Sequence, residues 1–259
     1  MGLRLGMRRT FVAVTTLSAL AVAWFLLTTE TGVISAGRFP DPAATWSAMR
    51  QLAGPGYAGS TLVVHVAQSL KLVLGGFLFA SALGISLGLL IGWSRKAEAL
   101  INPVFLLLRP IPPLAWIPLA ILWLGLGDAA KIMVIVIAAF VPNVINTSTG
   151  VRGIEATIFE AAQMLGTPRW RFVSEVLIPA SLPAIFTGLR LSLQAAWTTL
   201  VAAELVGALA GIGLVLNVAQ QDIYPAMILS AMLVVGVLGW LMTHLLGLVE
   251  RYALAWRTA

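Results

Sequence analysis

Five ionisable side chains lie inside long apolar stretches of this sequence or at their edges, and these residue types could bind or move charged solutes. They are Lys71, Arg109, Lys131, Arg190 and Glu204. Within a bilayer such groups face a protein interior or a water-filled cavity, where they mark pathways or ion pairs. Arg109 and Arg190 could attract an anion, form an ion pair or extend to the membrane surface. Glu204 would repel a free anion, so we expect it to gate a path or to pair helices.

A proline-rich run beside Arg109 suggests a second element of a translocation path. Prolines occupy positions 110, 112, 113 and 118, so the run cannot keep an unbroken helical hydrogen-bond ladder. Carbonyl groups freed at bilayer depth are tolerated where protein buries them or where they line a water-filled cavity. The run is therefore a pathway element or a structural kink. The complete set of path candidates is Arg109, Pro112, Pro113, Trp116, Arg190, Gln194, Trp197, Thr198 and Glu204.

Several kinds of chemistry are excluded by residues that the sequence lacks. With no cysteine, the chain has no disulfide, thiol nucleophile or thiolate metal site, and His65 and His244 are too far apart in sequence to suggest a metal cluster. We find no serine–histidine or paired-carboxylate constellation, so we expect no catalytic site and no metal. None of Lys71, Lys96 and Lys131 completes a phosphate-binding loop. We therefore expect the chain itself to bind no nucleotide.

The composition is that of a membrane protein. Hydrophobic residues make up 59% of the chain, charged residues 10%, and the mean hydropathy is +0.96; soluble domains have about 25% charged residues. The apolar runs are continuous rather than alternating, which favours helices over barrel strands. We predict an all-α membrane protein formed by one transmembrane domain, residues 1–259.

Six apolar segments are long enough to cross a bilayer, which needs about 20 residues per helix. We predict spans at about 11–29, 70–93, 101–127, 131–150, 180–206 and 224–249. An N-terminus in the cytoplasm places ten lysines and arginines inside and three outside, as the positive-inside rule requires. This orientation makes both termini cytoplasmic, puts residues 151–179 in the cytoplasm and leaves residues 30–66 as an external loop with a short surface helix. The net charge of +6 is then explained by the membrane, and no nucleic acid is expected.

The first apolar run could be a secretory signal or an uncleaved anchor. It spans about 19 residues, which exceeds the roughly 7 to 15 of a signal sequence, so we expect an anchor.

Two stripes of small residues predict close helix packing. The first contains Gly76, Ala80, Gly84, Gly88 and Gly92, and the second contains Ala195, Thr199, Ala203 and Gly207. Small side chains let helix backbones approach closely in lipid. We expect structural contacts along both stripes; the alternative is a surface that slides during gating.

The cytoplasmic segment 151–179 is predicted to form a helix–turn–helix hairpin. Ile154 to Leu165 is expected to be the first helix, and Gly166 its C-terminal stop. Thr167 is expected to be the N-cap of the second helix and Pro168 its first residue. A rigid polar hairpin of this kind is a docking surface; the alternative is an ordinary charged loop.

The same hairpin resembles the EAA motif of permease subunits in binding-protein-dependent ABC importers. The resemblance includes Glu160-Ala161-Ala162, Gly166 and the pair Leu182-Pro183, with Gly166 lying 93 residues before the C-terminus. The run from Arg109 to Gly127 resembles the sulfonate, taurine and nitrate branch of these permeases. So do Ala202-Ala203-Glu204-Leu205 and Gly211-Ile212-Gly213. The likeness covers about residues 65–250.

The resemblance implies a type I importer permease fold (MetI-like) in a bacterial inner membrane. It implies two separate ATP-binding cassette subunits, which would hold ATP and magnesium, a second copy of this chain as a homodimer, and an external solute-binding protein. The transported solute would be a small anion such as a sulfonate, taurine or nitrate. The residues that would contact the ATPase are Glu160, Ala161, Ala162, Gly166, Thr167, Pro168 and Arg169.

A secondary transporter driven by an ion gradient is the alternative. Such a protein would have inverted repeats and carboxylates near the midplane of the bilayer. Glu204 is the one carboxylate within a predicted span that fits, and we find no repeat in the sequence.

Overall fold

Helices form most of the structure, which is a computed structural model that describes residues 2–30, 34–35 and 37–257. Among these residues no β-strand occurs, and Tyr57 and Ser60 form an isolated bridge. The helices are α1 (Gly2–Phe25), α2 (Pro42–Ala53), α3 (Leu62–Trp93), α4 (Arg95–Leu108), α5 (Ile117–Leu124), α6 (Asp128–Arg152), α7 (Ala156–Met164), α8 (Arg169–Arg171), α9 (Ile178–Gly207), α10 (Ile212–Gln221) and α11 (Pro225–Ala253). A π-helical stretch (Leu26–Glu30) extends α1, and a 3₁₀ turn (Ala255–Arg257) follows α11.

Four of the predicted spans are long single helices. Three are α3, α6 and α11, and the fourth runs without a break from Arg169 to Gly207 over 39 residues, because a π-helical stretch (Phe172–Leu177) joins α8 to α9. The predicted span at 180–206 therefore continues directly into the second helix of the hairpin. The first predicted span corresponds to a shorter apolar helix, Val14–Glu30.

The predicted third span, about 101–127, is a bent pair of helices. Arg95–Leu108 and Pro113–Leu124 meet at an angle of 84°, and the second member begins with a 3₁₀ turn (Pro113–Trp116). Proline lacks the amide proton that a helix needs and its ring clashes with the preceding turn. The predicted break in the hydrogen-bond ladder is confirmed, at residues 109–112.

The centre of the bundle is the packing of α3 on α6 and of α6 on α9. A Cβ built on Gly84 would lie 2.7 Å from Cβ of Asn143, and one built on Gly88 would lie 2.6 Å from Cβ of Thr147. The first small-residue stripe therefore permits contact between backbones, as predicted. In the second stripe Thr199 and Ala203 are buried.

The segment 30–66, which was predicted to be external, contains the expected short helix, which is α2. Asp41 caps it, its Oδ1 accepting a hydrogen bond from the amide of Ala44 at 2.6 Å, and Pro42 is the first helical residue. Ala48 and Leu52 are fully buried against α10 and α11, so α2 belongs to the packed domain. Residues 31–33 and 36 of this segment lie outside the described part of the chain.

Candidate functional site

The hairpin is a rigid turn between two helices. Gly166 has φ +65°, a left-handed conformation that glycine adopts without strain. The amide of Thr167 donates to the carbonyl of Ala162 at 3.1 Å, which is the six-residue closure of a Schellman helix end. Gly166 therefore ends the first helix, as predicted.

The start of the second helix differs from the prediction by one residue. Pro168 (φ −66°, ψ 149°) is the N-cap, and the helix begins at Arg169 rather than at Pro168. The carbonyl of Pro168 accepts the first bond of that turn, from the amide of Phe172 at 3.0 Å. Thr167 is not the cap, because Pro168 has a non-helical ψ and is therefore the residue directly before the first helical one. The first helix is also shorter than predicted, Ala156–Met164 rather than Ile154–Leu165.

One side of the hairpin packs on the bundle. Ala162 is buried with Val151, Phe172 and Leu177, and the rings of Phe159 and Phe172 have centroids 5.0 Å apart. Ala162 thus contacts its own chain, whereas its neighbour Ala161 is exposed. The hairpin is consequently fixed to the ends of the spans.

The other side of the hairpin exposes large apolar side chains. Met164 is 90% exposed, Leu165 83% and Trp170 67%, and the predicted contact residues Glu160 and Arg169 are exposed beside them. The sequence analysis missed the three apolar residues. The signal was the pair Met164-Leu165 directly before Gly166, in a segment otherwise rich in polar residues. These three side chains, the hairpin tip, form an exposed apolar surface next to charged groups.

The broken span brings Arg109 and Trp116 to one cavity. Its volume is about 310 Å³, and Phe105, Val136 and Phe140 form much of its wall. Pro112 is exposed and Pro113, half-buried, begins the 3₁₀ turn. The indole nitrogen of Trp116 is buried and has no hydrogen-bond partner in the described part of the chain. The cavity is apolar with a cation at its edge.

The predicted path residues on α9 divide into exposed and buried sets. Arg190, Gln194 and Thr198 are exposed and recur every fourth residue along one side of the helix. Arg190 also forms an ion pair with Glu250 of α11, one of the roles expected for it. Trp197 is buried in the core, where its Nε1 donates to Sδ of Met242 at 3.1 Å. Trp197 is therefore a packing residue in this structure.

Glu204 is fully buried in a hydrogen-bonded cluster, the Glu204 network, formed by His65, Ser69, Glu204 and the start of α10 (Gly211, Ile212, Gly213). The carboxylate accepts from Oγ of Ser69 at 2.8 Å and from the amide of Gly213 at 2.8 Å. Ser69 Oγ in turn accepts from the amide of Ile212 at 3.0 Å. Negative charge at a helix N-terminus is favourable. Of the two roles expected for Glu204, this contact is the pairing of helices.

His65 completes the Glu204 network. Its Nδ1 accepts from the amide of Gly211 at 3.0 Å, so its Nε2 is the protonated nitrogen and donates to the carbonyl of Tyr57 at 2.9 Å. Both ring nitrogens therefore have hydrogen-bond partners. Among the described residues no group of three or more potential ligands could hold a metal ion.

A cluster of charges lies next to the Glu204 network at the start of α6. Asp128 accepts from Nε2 of Gln68 at 2.9 Å and from Nζ of Lys71 at 3.2 Å. Lys131, one turn further along α6, is only 7% exposed. The sequence analysis expected Lys131 near the edge of a predicted span. It did not predict that the side chain is buried, because burial depends on which face of the helix meets its neighbours.

Sequence comparison relates the chain to a known protein family. Residues 80–254 match the model of a family described as binding-protein-dependent transport system inner membrane component. The chain belongs to this family. The expected resemblance to ABC importer permeases is confirmed, and this inner membrane component is a multi-pass membrane protein.

Individual relatives of this inner membrane component are permease proteins of transport systems. It is 32% identical to the taurine transport system permease TauC of Escherichia coli, over 96% of this chain and 90% of TauC. It is 35% identical to the putative aliphatic sulfonates transport permease SsuC of Bacillus subtilis, over 94% and 87%. The bicarbonate transport system permease CmpB of Synechococcus elongatus is 37% identical, over 72% and 67%.

A solved structure shows the same fold. A chain of the inward-facing MetNI methionine ABC transporter superposes with a TM-score of 0.66 at 21% identity, over 74% of this chain and 95% of that one. The predicted MetI-like architecture is therefore confirmed at the level of the fold.

Proposed function

We propose that this inner membrane component is a membrane-spanning subunit of an ATP-driven importer, and that it couples to separate ATPase subunits through the hairpin, residues 151–179. The observation on which this rests is the exposed apolar tip beside Gly166. Exposed apolar groups rimmed by charged residues are typical of protein–protein contact sites. Met164, Leu165 and Trp170 provide the apolar part of the surface, and Glu160 and Arg169 the polar part.

The hairpin is joined mechanically to the candidate path. The helix that begins at Arg169 continues to Gly207 and includes the exposed residues Arg190, Gln194 and Thr198. A helix of this length moves as a unit because its hydrogen bonds are internal. A push on the hairpin would therefore shift the exposed side of α9, and the wide bend at 109–112 would let the third span follow.

The orientation of the protein in the membrane is part of the proposal. Arg95, Lys96, Arg152, Arg169 and Arg171 lie at the hairpin end of the bundle, whereas Lys71 and Lys131 lie at the opposite end. This distribution favours a cytoplasmic hairpin. With α1 and the bent pair each counted as a span, six spans cross the inner membrane and both termini are cytoplasmic.

The proposed substrate is a small oxyanion of the sulfonate, taurine or bicarbonate class, the solutes named for the relatives. The exposed cationic side chain of Arg109 and the apolar cavity beside it suit an anion with a short organic group. Two copies of the chain would enclose one path, ATP and magnesium would be held by two ATPase subunits, and an external binding protein would deliver the solute.

The coupling proposal is tested by placing a charge on the hairpin tip. Leu165→Asp should abolish co-purification of the ATPase subunits, because burying an unpaired carboxylate in a contact is costly. The matched control is Leu209→Asp, since Leu209 is equally bare, at 94% exposed, but lies at the other end of α9. Retention of the ATPase by the Leu165 variant would contradict the proposal. Uptake by the purified chain alone would instead favour the ion-driven transporter.

Orientation can be tested cleanly because the chain has no cysteine. Single substitutions Leu165→Cys and Leu209→Cys place reporters at opposite ends of one helix. In spheroplasts a membrane-impermeant maleimide should label position 209, and should label position 165 only after the membrane is opened. The reverse pattern would contradict the assignment of the hairpin to the cytoplasm.

A further inference from the structure

Lys131 is a buried cation without a contacting partner. It lies in the first turn of α6, at the end opposite Arg152 and the hairpin, and is 7% exposed. No hydrogen bond or ion pair joins its ammonium group to any other side chain in the described part of the protein. Lysine is almost never fully buried unless it is paired. Its position therefore needs a functional or structural reason.

The two nearest carboxylates are already committed to other groups. Asp128 is held by Gln68 and Lys71, and Glu204 by Ser69 and the amide of Gly213. Both act on Lys131 only through space. Neither fills any of the three donor positions of the ammonium group.

A small cavity adjoins Lys131. It measures about 10 Å³, close to the least space that holds one water molecule. Its wall is apolar and comes from α5, α6 and α9, with Ile121, Leu126 and Ala203 among the contributors. In so apolar a space the attraction between opposite charges is stronger than in water.

Leu126, one of the residues that line the cavity, is a side chain that could move. Leu126 stands between Gly125 and Gly127, is 65% exposed, and packs on Gly207, where a Cβ would lie 2.8 Å from Cδ2 of Leu126. Displacing Leu126 loses few packing contacts, because most of its side-chain surface is already exposed. The space beside Lys131 would then open towards the end of the bundle that lies opposite the hairpin.

We propose that Lys131 binds the acidic head group of the transported solute, a monoanionic oxyanion of the sulfonate, carboxylate or bicarbonate class, when Leu126 moves away from Gly207. This inference rests on the proposed import function and names the residue that first holds the anion in the membrane. The ammonium group offers three hydrogen-bond donors to the oxygens of the head group.

A purely structural role for Lys131 makes the opposite prediction for stability. If Lys131 exists to neutralise Glu204 and Asp128, its removal leaves buried acidic groups uncompensated and destabilises the protein. If it exists to bind a passing anion, an apolar residue of similar length removes a desolvation cost and leaves the resting protein equally stable or more stable.

The test uses the complete transporter in lipid vesicles with saturating binding protein, and the variants Lys131→Met, Lys131→Arg and Lys71→Met. The last is the matched control, because Lys71 is an exposed lysine at the same end of the bundle. Uptake of radiolabelled ethanesulfonate by Lys131→Met should fall at least about tenfold, the scale of a lost charged hydrogen bond. Lys131→Arg and Lys71→Met should retain most of the uptake, and the melting temperature of Lys131→Met in detergent should not decrease.

Three results would overturn the proposal. They are undiminished uptake by Lys131→Met, an equal loss in Lys131→Arg, and a loss of uptake in Lys131→Met accompanied by a lower melting temperature. The import function is judged separately, by omitting ATP. Uptake that continues without ATP contradicts the proposed function, and the ratio of uptake by Lys131→Met to uptake by the wild-type protein still tests the role of Lys131. ATP-driven uptake at equal rates in these two proteins rejects the role of Lys131 and leaves the import function standing.

Discussion

The Glu204 network and the hairpin lie at opposite ends of the same 39-residue helix and use their side chains in opposite ways. In the network, the carboxylate of Glu204, the hydroxyl of Ser69 and both ring nitrogens of His65 have partners within the chain. At the hairpin tip, Met164 and Leu165 are almost fully exposed. One end is self-contained, and we propose that a second protein covers the other.

This contrast separates stability from coupling. A buried polar group loses its hydrogen bonds when its partner is removed, so changes at the network should appear in the melting temperature. An exposed side chain contributes little to folding, so changes at the hairpin tip should alter partner binding and leave the fold intact.

The largest effect on stability is expected at Glu204. Glu204→Ala leaves the amide of Gly213 and the hydroxyl of Ser69 without their acceptor, and each unsatisfied buried group costs about 1 to 3 kcal/mol. We expect a total loss of about 2 to 4 kcal/mol, measured as a large decrease of the melting temperature in detergent. Glu204→Gln, which keeps one acceptor oxygen, should lose less.

The matched control for that experiment is Glu160→Ala on the hairpin. Glu160 is exposed, so the Glu160→Ala variant should melt close to the temperature of the wild-type protein. The expected change in its free energy of unfolding is at most about 0.5 kcal/mol. Equal destabilisation by the two alanine variants would contradict the distinction between the two ends.

The next effect is expected in the packing that connects the ends. A Cβ at Gly88 would lie 2.6 Å from Cβ of Thr147 and 2.9 Å from the carbonyl oxygen of Val144, so Gly88→Val must push α3 away from α6. Overpacking of this kind costs about 1 to 3 kcal/mol. Gly75→Val on the same helix is the control, since a Cβ at Gly75 meets nothing within 4 Å. Similar melting temperatures for the two variants would show that the close approach is not needed.

A more local effect is expected at the hairpin turn. Gly166 has φ +65°, whereas proline is restricted to about −65°, so Gly166→Pro must break the Schellman turn. ATP-driven uptake should be abolished, as it should in Glu160→Lys, while the protein remains in the membrane at normal levels. Gly166→Asn should keep most of the uptake because asparagine tolerates the left-handed conformation. Equal uptake in the proline and asparagine variants would show that the turn plays no part in coupling.

Sequence reasoning found the elements whose signals are local. Continuous apolar runs located the four long spans, the prolines after Arg109 located the break, and the positive-φ glycine of the hairpin was recognised from its position after a short helix. The short helix α2 was predicted as well, but its start at Asp41-Pro42 was not. These features depend on a few neighbouring residues, which is why they can be read without a structure.

Features that depend on distant parts of the chain were missed or left open. The Glu204 network joins His65 to Gly211 across 146 positions, and no local pattern encodes that pairing. The burial of Lys131 and Trp197 depends on which face of each helix meets its neighbours. Thr167 was assigned as the cap because threonine is a common cap and proline a common first helical residue, but the extended ψ of Pro168 (149°) makes Pro168 the cap.

The smallest effect is expected beside the Glu204 network, where Tyr57 donates to a carboxylate oxygen of Asp222. Partial burial, together with the hydrogen bond and the negative charge of Asp222, raises the pKa of the Tyr57 hydroxyl above its usual range. A raised pKa means that the folded protein favours the protonated hydroxyl. Its contribution to stability is therefore complete below about pH 10, the ordinary tyrosine pKa, and is lost as the pH rises further. Melting curves should show a small alkaline decrease above that pH that is weaker in Tyr57→Phe, which cannot ionise, and an unchanged slope in that variant would contradict the assigned contact.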